Sequence, residues 1–428
     1  MAAAPPHPRV LMLPLSAQGH VMPLMELSHR LAEHGIEVYF VNTDFNHARI
    51  IRAMEGGEGN QTGRVPAGIH MVSFPDGMGP DADRSNIARR GPAASDARRV
   101  EELIGSEQIR WMVVNVPMTW ALELAATVGV RVALFLPFSS AAFALRLHTP
   151  KMIEDGVIDE NAPLEQRRQD PRGTEGHLPD VTKTSTAMAL ADSIVSNTFQ
   201  EIESGALALI QKAVLAVGPL EAPNSTPAAG HFWPDDPTCF TWLDAQAPGS
   251  VVYVAFGSLA VFDATRLQEL ADGLALTGRP FLWVVRPNSA GDGWVDEIRR
   301  RVGGTGLVVG WRVLAHPSVA CFVTHCGWNS MMEGARHGVP FLCWPRFGDQ
   351  FCNRSYACDV WRSGAELRAD ERGVVAKEEV RDKLERLLGN EGIRARALLL
   401  KSAARASVAG GGSSHQNLLR FVNLLREQ

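Results

Sequence analysis

Short apolar runs alternate along the chain with stretches whose apolar positions recur three and four residues apart. Residues 10–15 form one such run, and Leu24, Leu27 and Leu31 then follow at helical spacing, with Pro23 suited to a first helical turn. Residues 37–41, 69–74, 111–114 and 130–136 repeat the strand signal, and residues 120–126 between the last two have helical composition. Strand and helix in this alternation predict βαβ units and a mostly parallel sheet. Residues 151–190 are a polar, Pro- and Gly-bearing excursion, after which 194–196 and 214–217 read as the last strands of that sheet. Five prolines between Pro219 and Pro237 then mark a linker. A second series follows: strands at 251–256, 281–285, 307–309, 321–323 and 340–343, and helices at 265–276 and after Trp328.

No repeat at a period of about 20–50 residues relates the two series, so they repeat in architecture only. The expected fold is α/β, two facing Rossmann-like domains with parallel sheets, at residues 1–220 and 241–412, joined by a linker at 221–240. A final helix within 413–428 has an apolar face suited to packing back on the first domain. Ligands of such sheets bind beyond the carboxyl ends of the strands, which directs attention to the loops there.

Composition narrows the function. A net charge of −5 over 428 residues, with no domain-wide basic excess, argues against nucleic acid as a partner. Arg89–Arg90 and Arg299–Arg301 read as solvated faces. The six cysteines, Cys239, Cys321, Cys326, Cys343, Cys352 and Cys358, are too sparse for a disulfide framework, and no signal peptide pattern precedes them. Free thiols and a cytoplasmic location are expected. The long uncharged stretches 245–262 and 313–332 carry Pro, Gly or His, so no membrane span is expected.

Candidate chemistry concentrates in Thr324-His325-Cys326-Gly327-Trp328-Asn329-Ser330-Met331-Met332-Glu333-Gly334, which follows a strand signal and opens a helix. Gly327 lets the backbone approach a ligand, and Asn329 and Ser330 are N-cap residue types. A helix N-terminus presents amides to an anion, so a phosphate group is the natural guest, with His325 as a further donor. Ser330-x-x-Glu333 also reads as a capping box that needs no ligand. Asp349-Gln350, after another strand, can grip sugar hydroxyls, although Asp349 also fits a helix cap. Near the start, His20 sits in a Gly-containing loop after the first strand, where a neutral imidazole can take a proton from a hydroxyl. His325 with Cys321, Cys326 and Cys343 matches no usual zinc spacing, so no metal is expected.

Taken together, Trp311…His325-Cys326-Gly327-Trp328-Asn329-Ser330…Glu333…Gly338-Val339-Pro340…Pro345…Asp349-Gln350 resembles the plant secondary-product glycosyltransferase box. This is the donor-binding signature of the plant UDP-glycosyltransferases of family 1, which have the GT-B fold. Ala17-Gln18-Gly19-His20-Val21-Met22-Pro23, Val41-Asn42-Thr43 with Asn46-His47, and Phe256-Gly257-Ser258 are similar to other patterns of that family. The resemblance implies that Trp311 stacks on uracil and that His325, Asn329, Ser330 and Ser258 hold the diphosphate. It implies Glu333 on the ribose, Asp349 and Gln350 on the sugar with Gln350 pointing to glucose, and Gly327 and Trp328 in the donor turn. It makes His20 the general base of an inverting transfer. The implied ligands are UDP-glucose and a small hydroxylated acceptor, held by a monomer without a cofactor.

The chain departs from the family at two functional places. The family's Asp that supports the base aligns with Asn115, and Trp311-Arg312-Val313-Leu314 is four residues shorter than the family's Trp-x-Pro-Gln-x-x-Val-Leu. Residues 89–108 also look shortened. One alternative is therefore a degenerate member that binds UDP-sugar or a small phenolic with little turnover. A nicotinamide oxidoreductase is disfavoured, because no Gly-x-Gly-x-x-Gly follows the first strand. A sugar-nucleotide epimerase leaves the box unexplained.

Overall fold

The computed structural model describes residues 7–55, 65, 67–79, 96–158, 181–221, 232, 237–257, 263–285, 306–309 and 313–427. They form two compact units.

The first unit holds the chain up to Val157, the stretch from 181 to 232 and the tail from Ser407. Its seven strands are β1 (Arg9–Leu13), β2 (Glu37–Thr43), β3 (Ile69–Phe74), β4 (Trp111–Asn115), β5 (Arg131–Leu136), β6 (Ser193–Ser196) and β7 (Val214–Ala216). They lie in the order β3-β2-β1-β4-β5-β6-β7, and neighbours are parallel. The apolar runs of the sequence are these strands, with ends moved by one or two residues. Val10, Leu11, Met12 and Leu13 are all fully buried, because a parallel sheet is covered on both faces.

The helix Gln18–Glu33 lays Leu24, Leu27 and Leu31 against Val10, Met12, Val38 and Phe40. It starts earlier than the leucine spacing suggests, so Pro23 lies inside the helix rather than in its first turn. The chain's last helix, Ser413–Arg426, adds Leu418, Phe421, Val422 and Leu425 to the same core. Two side chains fix its position: Ser414 Oγ donates to the Gly218 carbonyl at 2.6 Å and Asn417 Nδ2 to the Ala216 carbonyl at 3.0 Å. Most of the expected linker 221–240 and of the excursion 151–190 lies outside the described residues, although Phe232 is buried in this core.

The second unit holds residues 237–406. Its strands are β8 (Val251–Ala255), β9 (Phe281–Val284), β10 (Gly306–Val309), β11 (Val319–Thr324), β12 (Phe341–Cys343) and β13 (Gly364–Glu366). They form a parallel sheet in the order β10-β9-β8-β11-β12-β13. The helices Ala264–Leu276 and Lys377–Leu388 cover one face. They meet at Gly273, where a Cβ would come within 2.6 Å of Val380 Cβ. The helix Lys377–Leu388, its successor Glu391–Val408 and the three-residue β13 had no counterpart in the sequence pattern.

Both sheets change winding direction once: between β1 and β4 in the first unit and between β8 and β11 in the second. At such a switch point the flanking loops part and leave a crevice at the carboxyl ends of the strands. All six cysteines are unbridged. Among the described residues, no helix is long and apolar enough to cross a membrane.

Phe421 is fully buried on a helix that arrives from the far end of the chain. Phe421→Ala is expected to destabilise the first unit by about 3–5 kcal/mol, the usual cost of emptying a buried phenylalanine site. Urea unfolding measures it; a loss below about 1 kcal/mol would mean that the helix is not part of that core.

Candidate active site

In the first unit, candidate residues gather at the β1/β4 switch point. The loop after β1 ends at Ala17, whose carbonyl accepts from the N–H groups of His20 and Val21 at 2.8 and 2.9 Å. His20 therefore stands in the first turn of the helix Gln18–Glu33, not in the loop itself. Asn115, fully buried, is the last residue of β4. Its Oδ1 accepts from the Leu15 N–H at 2.9 Å and lies 3.2 Å from His20 Nδ1, while its Nδ2 donates to the Phe135 carbonyl at 3.2 Å.

That pattern fixes the chemistry of the imidazole. Leu15 offers only a donor and Phe135 only an acceptor, so the amide has one orientation. Its oxygen faces the ring, so Nδ1 carries the proton and Nε2 carries the lone pair. In a serine-protease triad the same Asp-to-Asn change costs roughly 10⁴ in kcat because the wrong tautomer results. Here the neighbours of Asn115 impose the productive tautomer, and what is lost relative to a carboxylate is its charge. Burial lowers the His20 pKa to about 4; the bond to Asn115 opposes this, and the Arg146 charge adds to it.

Arg146 had no motif to reveal it. It stands on the helix Ser140–Glu154, one turn after Phe143, with its guanidinium 4.7 Å from the centre of the Phe138 ring. Phe138 and Phe143 are themselves in ring contact at 6.4 Å. The start of this helix is held by the buried Glu203, whose carboxylate accepts from the Ser140 and Ala141 N–H groups at 3.1 and 2.9 Å.

In the second unit, candidate residues gather at the β8/β11 switch point. β11 runs into the turn 325–327 and then into the helix Trp328–His337. The His325 ring is buried between two glycines: a Cβ on either Gly257 or Gly327 would lie 2.4 Å from its Nε2. Only residues without a side chain fit, and Gly257 also has φ +64°. Cys326 adopts φ +64° as well, with its N–H donating to Thr324 Oγ1 at 3.1 Å.

The helix cap differs from the sequence expectation. Gly327 is the N-cap, and the first intrahelical bond runs from the Met331 N–H to the Gly327 carbonyl at 3.0 Å. Asn329 and Ser330 are inside the first turn, so neither caps. The Ser330–Glu333 capping box therefore does not form, because Ser330 already has helical position. Trp328, Asn329 and Ser330 instead supply the first-turn amides that point out of the helix start.

Asp349 does occupy an N-cap position, of the helix Gln350–Ser355, but makes no capping bond to the backbone. Its Oδ2 accepts from the Asn353 side chain at 2.9 Å. Gln350 is buried, and its Oε1 accepts from the Arg346 and Phe347 N–H groups at 2.7 and 3.1 Å. Nε2 is then the end that can donate to a ligand. Asn353, absent from the sequence expectations, also donates to the Cys326 carbonyl at 2.9 Å. Ser258 and Trp311 lie outside the described residues.

Two parallel sheets, each with polar groups gathered at its switch point, make this a protein of two Rossmann-like units. Residues 222–405 match the family model described as UDP-glucoronosyl and UDP-glucosyl transferase, and residues 8–76 match the glycosyltransferase N-terminal domain. The chain is 35% identical to UDP-glycosyltransferase 83A1 of Arabidopsis thaliana, over 98% of this chain and 97% of that protein. It is 31% identical to 7-deoxyloganetin glucosyltransferase of Gardenia jasminoides, over 96% of each. The crystal structure of Os79 from O. sativa in complex with UDP matches with a TM-score of 0.80 at 27% identity, over 97% of this chain and all of that one. The chain belongs to the plant UDP-glycosyltransferase family and has its GT-B fold.

The glycine sandwich around His325 can be tested without any ligand. Gly278 has φ +61° and open space around it, so Gly278→Ala should cost only the left-handed strain, about 1–2 kcal/mol. Gly257→Ala is expected to cost about 1–3 kcal/mol beyond that, because the methyl group collides with the ring. Equal losses in urea unfolding would remove His325 from contact with Gly257.

Proposed function

We propose that the protein transfers glucose from UDP-glucose to a hydroxyl of a small plant metabolite, with inversion at the anomeric carbon. The observation that carries the reading is the His20–Asn115 pair. Its imidazole presents a lone pair on Nε2 and is neutral through the physiological range. His20 takes the acceptor's proton as the acceptor oxygen attacks the anomeric carbon from the face opposite UDP. The bond to the diphosphate breaks with its electron pair, and one configuration becomes the other in a single step.

On the donor side, the first-turn amides of Trp328–His337, with His325, Asn329, Ser330 and Ser258, meet the charge that develops on the diphosphate. This reading needs no metal. Trp311 stacks on uracil, and Glu333, which is not part of a capping box, takes the ribose hydroxyls. Asp349 and Gln350 hold the sugar, with Gln350 Nε2 as a donor. Glucose is supported by the Gln350 position and by the glucosyltransferase name of the Gardenia relative. In this reading the acceptor binds near Phe138, Phe143 and Arg146. A cytoplasmic monomer completes the proposal.

A second reading has specific support. Asn115 offers no charge to the imidazolium, and the segment after Trp311 is four residues short. Both favour a member that binds UDP-sugar or a small phenolic with little turnover. Mass-spectrometric product detection with UDP-glucose and a panel of hydroxylated plant metabolites separates the two.

Three variants then probe the roles. His20→Ala should abolish transfer while leaving UDP affinity within about threefold; retained transfer contradicts the base assignment. Glu333→Ala should weaken UDP binding about tenfold or more. Its melting temperature should stay near wild type, since no cap is lost. Asn115→Asp bears on pH. The wild-type acid limb of kcat/KM should lie near pH 4, because protonation of His20 removes the base there. A carboxylate raises the pKa of His20, so the limb moves up towards or beyond about 6.5. An unmoved limb would detach the profile from His20.

A further inference from the structure

We propose that Asn353 is a positioning residue for sugar recognition: it ties the Asp349 carboxylate to the turn that carries His325. The inference rests on the proposed contact between Asp349 and the donor's sugar. Asn353 is fully buried in the helix Gln350–Ser355. One amide nitrogen serves two segments, donating to the Cys326 carbonyl at 2.9 Å and to Asp349 Oδ2 at 2.9 Å. The first acceptor lies in the turn after β11 and the second in the loop after β12.

Both partners are acceptors, so only the nitrogen end of the amide fits between them. Among the described residues, the buried Asn353 Oδ1 has no hydrogen-bond partner. A buried acceptor without a donor is costly, and an apolar residue of similar volume would avoid that cost. The position therefore holds an amide for its two hydrogens.

Each hydrogen restrains something the site uses. Cys326 stands at φ +64°, a backbone conformation unusual for a side-chain-bearing residue, between His325 and Gly327. Thr324 Oγ1 holds its N–H at 3.1 Å and Asn353 holds its carbonyl. At Asp349, a charge-assisted bond to one oxygen fixes the rotation of the carboxylate. A hexose is recognised by the direction of each hydroxyl, and glucose and galactose differ only at C4. A carboxylate free to rotate would discriminate them poorly.

The test is calorimetric binding of UDP, UDP-glucose and UDP-galactose to wild type, Asn353→Ala, Asp349→Ala and the double variant. Asn353→Ala should weaken UDP-glucose about tenfold, the worth of one bond to a charged group. It should move UDP less than about threefold, since Thr324 still restrains the turn, and it should shrink the preference for UDP-glucose over UDP-galactose. In the Asp349→Ala background, Asn353→Ala should change UDP-glucose affinity less than about twofold.

Equal losses in both backgrounds, or an unchanged preference, would overturn the proposal. If Asn353→Ala does not fold, the volume-matched Asn353→Leu takes its place in the same cycle; failure of both makes Asn353 a core support and overturns the role as well. A wild type that binds UDP but not UDP-glucose defeats the proposed function itself. A wild type that prefers UDP-glucose, with Asn353→Ala behaving like it, defeats only the tie.

Discussion

A parallel strand can be followed by another only through a crossover on one face of the sheet, and where successive crossovers change face the strand ends separate. That constraint places the chemistry of both units. In the first, the change falls between β1 and β4; His20 follows β1 and Asn115 ends β4. In the second it falls between β8 and β11, and Gly257 and His325 follow those two. Each crevice has to be lined by backbone that comes close to a side chain. Hence the first unit turns a helix at Ala17 to raise a histidine, and the second clears two glycines around another.

The two histidines meet opposite needs. His325 is clamped with its ring between backbone segments, which suits a fixed donor to a charge that develops during reaction. In the proposed transfer His20 has to change protonation state, and its surroundings resist that change. Burial and the nearby Arg146 both disfavour the imidazolium, and the neutral Asn115 gives back only a hydrogen bond. As the base of the proposed transfer, His20 would be unprotonated above about pH 4, and weak. In the proposed transfer a weak base helps little before the anomeric bond has lengthened, which leaves more of the work to stabilisation of the leaving diphosphate.

Most of the fold could be read from the residues because parallel strands are apolar on both faces. Runs such as Val10–Leu13 or Val251–Ala255 stand out in any window. β13 could not: Gly-Ala-Glu has no apolar run, and it is a strand only because the edge of β12 offers partners. Caps were misjudged for a related reason. Asn329 and Ser330 are good capping types, but Gly257 and Gly327 must both stay close to His325, and that requirement moves the helix start to Gly327. Arg146 and Asn353 were invisible because each acts on a residue far along the chain. Asp349 lies one helical turn before Asn353 in sequence, but Cys326 meets it only through the fold.

The amide at Asn115 is the residue whose meaning changes most between sequence and structure. By alignment it is a carboxylate that has lost its charge. In place it is a group with two different faces, and the β4/β5 register sets Asn115 directly opposite Phe135. The Phe135 carbonyl requires a donor at that spot, and the Leu15 N–H requires an acceptor. An amide satisfies both, whereas an ionised carboxylate satisfies only the second and turns an oxygen towards a buried carbonyl. Restoring the charge would therefore strengthen the imidazolium while removing a sheet-end hydrogen bond worth about 1 kcal/mol and leaving an acceptor facing an acceptor. Asn115 is thus better understood as matched to the local backbone than as a decayed residue. The swap also leaves the protonated His20 with a hydrogen bond where a carboxylate would give a charge.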